Sequence, residues 1–197
     1  MTGPAYPGGM TPSGRLVLVT GERAATQATI AHGLARALPR AVHIDGDVIA
    51  GLVVSGAAPP GPPLTRDGLE QLYLRWSAAI AVAETYQQAG FDAIISDTVL
   101  GELFADFVDF VSPAPLHVVV LGAAGPALAR TPRVGLWLRT AGVSPEVTVT
   151  EILARLDEAR IDTSEPTEPA GPTEPAEPTE PHQPDHSGRP GRSTDQS

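Results

Sequence analysis

Residues 15 to 38 read RLVLVTGERAATQATIAHGLARAL, an apolar run followed by a glycine and then a stretch with apolar residues at helical spacing. The run Arg15 to Thr20 is rich in β-branched and aliphatic residues and predicts a strand. From position 26 onward, Ile30, Leu34 and Leu38 recur every four residues, which predicts a helix that the following proline ends. The segment therefore predicts a strand, a turn at a glycine, and a helix over residues 26 to 38.

The rest of the core alternates in the same way. Four more short apolar runs predict strands, and the stretches between them predict helices. Strands and helices that alternate along a chain indicate a parallel sheet with helices on both faces. We therefore predict a three-layer α/β domain with a parallel five-stranded sheet. The further strands are Ala41 to Asp45, Phe91 to Ser96, Leu116 to Leu121 and Val134 to Leu138, and the further helices are Gly46 to Val54, Thr65 to Ala89, Leu100 to Val111 and Ser144 to Ile161.

The two ends of the chain differ in composition from this core. Residues 1–13 are rich in glycine and proline and are expected to form a flexible N-terminal segment. Residues 14–161 form the predicted domain. Residues 162–197 repeat a Thr-Glu-Pro unit and contain no apolar side chain larger than alanine, which predicts a disordered tail. The tail is either an inert spacer or a segment that binds a protein partner.

Composition excludes several classes of function. The chain has no cysteine, so disulfides and thiolate metal sites are ruled out. Its formal net charge is -10, and all 13 of its basic residues are arginine. An acidic chain without a basic stripe is not expected to bind nucleic acid. No apolar run approaches the roughly 20 residues of a membrane span, so we expect a cytoplasmic protein with no membrane partner.

Seven stretches together resemble the small P-loop kinases, and most closely the AAA-type ATP-binding proteins related to chloramphenicol phosphotransferase. The resemblance covers roughly residues 14 to 160 and implies the P-loop kinase fold. It also implies ATP and Mg²⁺ as cofactors and transfer of a phosphoryl group to the hydroxyl of a small molecule. The stretches are LVLVTG (16–21), HIDGD (43–47), LYLRW (72–76), AGFDAIISD (89–97), PLHVVVL (115–121), TPRVGLWLRT (131–140) and SPEVTVTEIL (144–153).

The phosphate loop departs from that family's pattern, G-x-x-x-x-G-K-[ST]. Gly21 matches the first glycine, but Thr26 stands for the second, Gln27 for the lysine and Ala28 for the magnesium-binding hydroxyl. Thr29 lies one position late, which is about a 100° rotation on a helix. Nucleotide-binding positions carried over by the resemblance are therefore Gly21, Arg23, Thr26, Gln27, Ala28 and Thr29, although Glu22 adds negative charge beside them.

The arginine-bearing lid of these kinases also has no clear counterpart. About a dozen residues separate the fourth and fifth predicted strands, which is within the range of an ordinary loop. Arg130 and Arg133 are the arginines in this connection and are the candidate contacts to a nucleotide. A lid excludes water and brings cations to the transferred phosphoryl group. A short connection predicts that this contribution is lost.

Two acids follow predicted strands, at the edge of the sheet where ligands bind in open α/β folds. By the resemblance, Asp47 is the candidate catalytic base for a substrate hydroxyl, and Asp97 is the candidate metal-associated acid. Each has an alternative, because aspartate readily caps a helix: Asp47 could cap the short helix that follows it, and Asp97 the helix near Leu100. Arg75 is expected to be a solvent-exposed arginine, with contact to an anionic substrate as the alternative.

Three functions remain open from the sequence. In the first, the chain is a degenerate kinase that is impaired in binding ATP and Mg²⁺ and keeps the fold for a binding or regulatory role. In the second, it is an active ATP-dependent phosphotransferase in which Arg23 replaces the lysine, acting on a small-molecule ligand. In the third, it is an interaction module whose acidic tail recruits a protein partner.

Overall fold

The computed structural model describes residues 14–58, 61, 63–122 and 125–163. These residues form one sheet between two layers of helices. The N-terminal segment predicted at 1–13, and the predicted tail from position 164 onward, lie outside the described residues.

The sheet contains six strands within the described residues. Five run parallel in the order β2-β3-β1-β4-β5, and a short sixth strand pairs antiparallel with β4. β1 therefore lies in the centre of the sheet, between β3 and β4. The strands are β1 Leu16–Gly21, β2 Ala41–Asp45, β3 Asp92–Ser96, β4 Leu116–Leu121, β5 Leu136–Leu138 and β6 Arg160–Ile161.

Helices cover both faces of this sheet. The side chains of α3 and α4 pack with one set of strand residues, and those of α1 and α6 pack with the other. Because β1 and β4 contribute to both apolar clusters, they are buried on both faces, as a continuous apolar strand requires. The helices are α1 Ala24–Ala37, α2 Gly46–Ala50, α3 Arg66–Gln88, α4 Leu103–Val111, α5 Pro126–Arg130 and α6 Pro145–Ala154. The predicted three-layer α/β fold is confirmed.

The end of the domain differs from the prediction. The last helix was expected to reach Ile161, but α6 ends at Ala154, and a 3-10 helix, Leu156–Ala159, and strand β6 follow. Leu156 and Ala159 are buried in the cluster beneath α1 and α6, so tertiary packing turns the chain back toward the sheet. This turn adds the sixth strand to the five that were predicted.

Two further helix boundaries were also wrong. The helix predicted from Leu100 begins at Leu103, because the backbone at Val99 is tied to β1. The Thr20 hydroxyl donates to the Val99 carbonyl at 3.0 Å and accepts from the Val99 amide at 2.9 Å. The helix predicted to end at Val54 ends at Ala50 and is followed by a turn.

The packed chain extends two residues beyond the predicted boundary at 161. Thr163 is 5% exposed. Its hydroxyl donates to the Ala114 carbonyl, and its carbonyl accepts from the Ser112 hydroxyl. Both partners lie just before β4, at the end of the sheet where this strand begins. Among the described residues, no helix is both long and apolar enough to cross a lipid bilayer.

Candidate functional site

A cleft opens where β1, β4 and β5 end. It encloses about 190 Å³, which is less than the roughly 300 Å³ at which pockets for drug-sized ligands begin. Among the described residues that line it, Arg23 carries the one positive charge and Glu22 the one negative charge. The lining residues are Gly21, Glu22, Arg23, Thr26, Leu121, Gly122, Thr140 and Ala141.

The connection from β1 to α1 contains only two residues, Glu22 and Arg23. The helix was predicted to begin at position 26, but it begins at Ala24. The backbone amides of Thr26 and Gln27 consequently bond to the Arg23 carbonyl, at 3.0 and 3.1 Å. A phosphate loop binds its ligand through backbone N–H groups that no protein acceptor occupies. Two of the amides at the expected loop positions are instead part of α1.

Gln27, at the position of the family's lysine, is only 1% exposed. Its side-chain amide donates to the carbonyl of Gly21 and also contacts the Thr98 hydroxyl at 3.3 Å. The side chain therefore lies across the turn and bonds to protein atoms. It carries no charge with which to neutralise a phosphate.

The two neighbouring positions offer no hydroxyl to a metal ion. Ala28 has no side-chain oxygen, and the Thr29 hydroxyl donates to the Ala25 carbonyl at 2.8 Å, one turn back along α1. Such a bond is typical of threonine inside a helix. Thr29 is also exposed, so it faces away from the buried side of α1.

Glu22 lines the cleft beside the segment that leads into α5. Its carboxylate packs directly against Gly125, at the start of α5, where no side chain larger than hydrogen would fit. The carboxylate thus occupies space between the β1–α1 turn and the segment after β4. An anion that entered from this side would meet a like charge.

The two lid candidates lie apart from the cleft. The Arg133 guanidinium stacks over the Trp137 ring, 4.0 Å from the ring centroid. Arg130 is exposed at the last position of α5. Neither is among the described residues that line the cleft. In this conformation, neither arginine is positioned to contact a nucleotide in the cleft as predicted.

A second group of charges lies at the ends of β2 and β3. The Arg75 guanidinium on α3 contacts the Asp97 carboxylate at 2.7 Å and the Asp47 carboxylate at 3.8 Å. The Asp97 side chain is 3% exposed and the Asp47 side chain 70% exposed. The structure therefore brings together the candidate base and the candidate metal-associated acid, with an arginine between them.

Asp97 is held in an unusual environment. Burial raises the pKa of its carboxyl to about 6, although Arg75 and the Thr98 amide both lower this pKa. The like charge of the nearby Asp47 carboxylate also raises this pKa. One carboxylate oxygen accepts from Arg75 and from the Thr98 amide at 2.7 Å each. The other oxygen has no hydrogen-bond partner in the described part of the chain.

Both capping alternatives prove wrong. Asp45 caps α2, because its carboxylate accepts from the Asp47 backbone amide at 2.9 Å. The Asp47 side chain is in the first turn of α2 and is free to face Arg75. Asp97 lies well before α4, whose cap position is Glu102 with no side-chain capping bond. The roles of Asp47 as a base and of Asp97 at a metal remain predictions.

Arg75 is the residue that the sequence reasoning placed wrongly. Its side chain is 19% exposed rather than solvated, because two carboxylates from distant parts of the chain converge on it. A usable signal was present: acids follow two predicted strands, and parallel strands end at the same edge of a sheet. An arginine on the helix between those strands is the natural partner for such acids.

The side chains present do not match the needs of Mg-ATP. Coordination of the nucleotide requires an ammonium at the β- and γ-phosphates and an oxygen for the metal. The lysine and hydroxyl positions carry Gln27 and Ala28, and one Asp97 carboxylate oxygen is paired with Arg75. Within the described residues, no group of three or more His, Asp or Glu side chains could hold a metal ion.

Comparison with known proteins supports the fold. No protein-family model matches the chain, and a search of curated proteins finds no match. Solved structures do match. An APS kinase from Mycobacterium tuberculosis is 17% identical, with a TM-score of 0.57 over 75% of this chain and 99% of that one. A sugar kinase from Janibacter sp. HTCC2649 is 18% identical, with a TM-score of 0.51 over 74% and 96%. At this identity the likeness establishes the fold.

Proposed function

We propose that this chain, which has the fold of the P-loop kinases, is a degenerate kinase whose β1–α1 turn does not take Mg-ATP and whose fold serves a binding or regulatory role. The observation that carries this proposal is the Gln27 side chain, which replaces the lysine and bonds to the carbonyl of Gly21. A nucleotide entering the turn would have to displace a buried hydrogen bond in order to reach an uncharged amide.

The charges around the turn support the same conclusion. A polyphosphate would meet the Glu22 carboxylate at the cleft mouth and no ammonium beyond it. Like charges at short range repel. Arg23 is the remaining cation in the lining, but it is exposed and lies beside Glu22. Because Arg23 is exposed, water and salt screen its attraction to a phosphate.

An active phosphotransferase is the second candidate, and one observation favours it. Asp47, Arg75 and Asp97 stay assembled at the edge of the sheet where an acceptor hydroxyl would bind. Asp47 is accessible there. In this candidate Arg23 supplies the cation for the phosphates, since guanidinium groups bind phosphate well.

Binding of nucleotide separates the two candidates. We expect isothermal titration of the full chain with ATP and Mg²⁺ to give no binding tighter than about 1 mM, which corresponds to about -4 kcal/mol. The melting temperature should also be unchanged at millimolar Mg-ATP, because a ligand stabilises only in proportion to its affinity. Tight binding that depends on magnesium would overturn the proposal.

A turnover assay completes the test. Wild type and the R23A variant are incubated with ATP and a panel of hydroxylated small molecules, and ADP is measured. The degenerate-kinase proposal predicts no acceptor-dependent ADP from either protein. Acceptor-dependent ADP from wild type that disappears in R23A would instead establish the active phosphotransferase.

A further inference from the structure

Arg75 joins three elements of the fold. From α3, one nitrogen of its guanidinium reaches the buried Asp97 after β3 at 2.7 Å, and another reaches the exposed Asp47 on α2 at 3.8 Å. The first contact is a tight, buried ion pair. The second is longer and exposed to solvent, so it is the weaker of the two.

The first residue of α2 rests on the same buried carboxylate. Gly46 is so close to Asp97 that a Cβ at position 46 would overlap the carboxylate oxygen that lacks a hydrogen-bond partner within the described residues. Gly46 therefore closes the space over Asp97, and α2 rests on this ion pair as well as, through Ile49, on the apolar core.

Few other contacts hold α2 itself in place, although the Gln71 side chain on α3 accepts from the Ala58 amide and donates to the Gly56 carbonyl in the segment that follows. The helix has five residues, too few to be stable alone. Asp47, Val48 and Ala50 are exposed, as is the segment from Gly51 to Gly56 that follows. Ile49 packs against the apolar cluster under α3 and anchors one side. The contact between Asp47 and Arg75 is therefore one of a small number of contacts, with those of Gly46 and Ile49, that keep α2 against the domain.

We propose that α2 is a movable cap over Asp97, and that Arg75 holds it closed by bridging the carboxylates of Asp47 and Asp97. When the bridge is intact, Gly46 covers the buried acid. When the contact to Asp47 breaks, α2 lifts, water reaches Asp97, and the acid becomes accessible at the edge of the sheet. This opening and closing of α2 depends only on these contacts, so the proposal is independent of whether the chain binds ATP.

Amide hydrogen exchange tests this inference directly. The amides of Gly51, Leu52 and Val53 bond to the carbonyls of α2 at 3.0 to 3.2 Å and report its opening. In R75Q we expect their exchange to rise at least about tenfold, with the amides of β3 unchanged. In D47N, which removes only the exposed contact, the rise should be about two- to fivefold.

Two further variants make the result decisive. R66Q removes an exposed arginine of α3 that pairs with Glu70, and it should leave exchange in α2 within about twofold of wild type. R75Q/D97N leaves no buried charge without a partner, so it keeps the domain folded if R75Q alone does not. The proposal is overturned if R75Q/D97N and D47N both retain wild-type protection in α2. It is equally overturned if exchange rises uniformly across the sheet.

Discussion

The side-chain amide of Gln27 donates a hydrogen bond to the backbone carbonyl of Gly21, across the turn that joins β1 to α1. The two residues lie at the first glycine position and the lysine position of the phosphate-loop pattern. In that pattern the side chain at the lysine position faces a ligand. Here the Gln27 side chain instead bonds to the backbone of the protein. Gln27 therefore has a structural role, and its loss has a measurable cost.

We expect Q27A to destabilise the domain by about 1–3 kcal/mol, because it leaves a buried carbonyl without its partner. Urea unfolding followed by circular dichroism measures the change. T29A is the matched control: it removes an exposed hydroxyl from the same helix and should cost no more than about 0.5 kcal/mol. A Q27A protein as stable as wild type would show that the hydrogen bond contributes nothing.

The raised pKa of Asp97 makes stability depend on pH. Burial holds this pKa at about 6 in the folded protein, above the usual 3.8. Between these values the folded state binds more protons than the unfolded state, so stability falls as pH rises toward and through 6. The shift corresponds to about 3 kcal/mol. Between pH 5 and pH 8, D97N should lose less stability than wild type, as measured by urea unfolding.

Asp92 provides the control for this pH effect. Burial raises its pKa, but hydrogen bonds from Arg15 lower it by more, and the net pKa is below the usual value. The stabilisation from Asp92 is therefore present above pH 4 and lost in more acidic solution. In D92N, the difference in free energy of unfolding between pH 5 and pH 8 should be the same as in wild type. If D97N shows the wild-type difference, then Asp97 does not titrate in this range.

Replacement of each of the two glycines at the ends of α2 by alanine should have opposite effects on the stability of the domain. G46A places a methyl group on the Asp97 carboxylate and should cost about 1–3 kcal/mol through overpacking. Gly51 has φ of -65°, and a Cβ there meets nothing nearer than 3.4 Å. G51A should be neutral or stabilise by about 0.5 kcal/mol. Thermal unfolding of the two variants measures both; equal melting temperatures would contradict the close approach at Gly46.

The position of Thr163 predicts how far the chain can be shortened. A chain that ends at 163 keeps the hydrogen bonds of Thr163 to Ala114 and Ser112 and should melt with the full-length protein. A chain that ends at 161 loses both bonds and a buried side chain, and should lose about 1–3 kcal/mol. Differential scanning calorimetry compares the three lengths. If the chain ending at 161 melts with the other two, Thr163 is not part of the stable domain.

Much of the fold was predictable because buried parallel strands leave a strong local signal. The apolar runs at β1 and β4, and the glycine and proline signals at helix ends, located the five parallel strands and five of the six α-helices of the described residues, but not the short helix α5. The end of the domain was not predictable, since the periodicity of α6 continues past Ala154. There the burial of Leu156 and Ala159 against the sheet outweighs the local preference for helix. No local sequence pattern predicts this burial.

The candidate site was predictable in its parts but not in its geometry. The departures of Thr26, Gln27 and Ala28 from the phosphate-loop pattern are visible in the sequence alone. The sequence did not indicate that Gln27 would bond to Gly21, because that contact depends on α1 beginning at Ala24. Nor did it place Arg75, whose partners are 22 and 28 positions away and meet it only when β2 and β3 lie side by side.

The short connection between β1 and α1 also bears on whether a nucleotide site could be installed at this turn. Side chains can be exchanged one at a time, but a wide phosphate loop cannot form while the first turn of a helix occupies its positions. Two residues of α1 would have to unwind and give up established amide bonds before a nucleotide gained anything in return. Single substitutions that restore the consensus letters therefore leave the backbone where it is. For protein engineers, installing a nucleotide site here is a problem of loop grafting and not of point mutation.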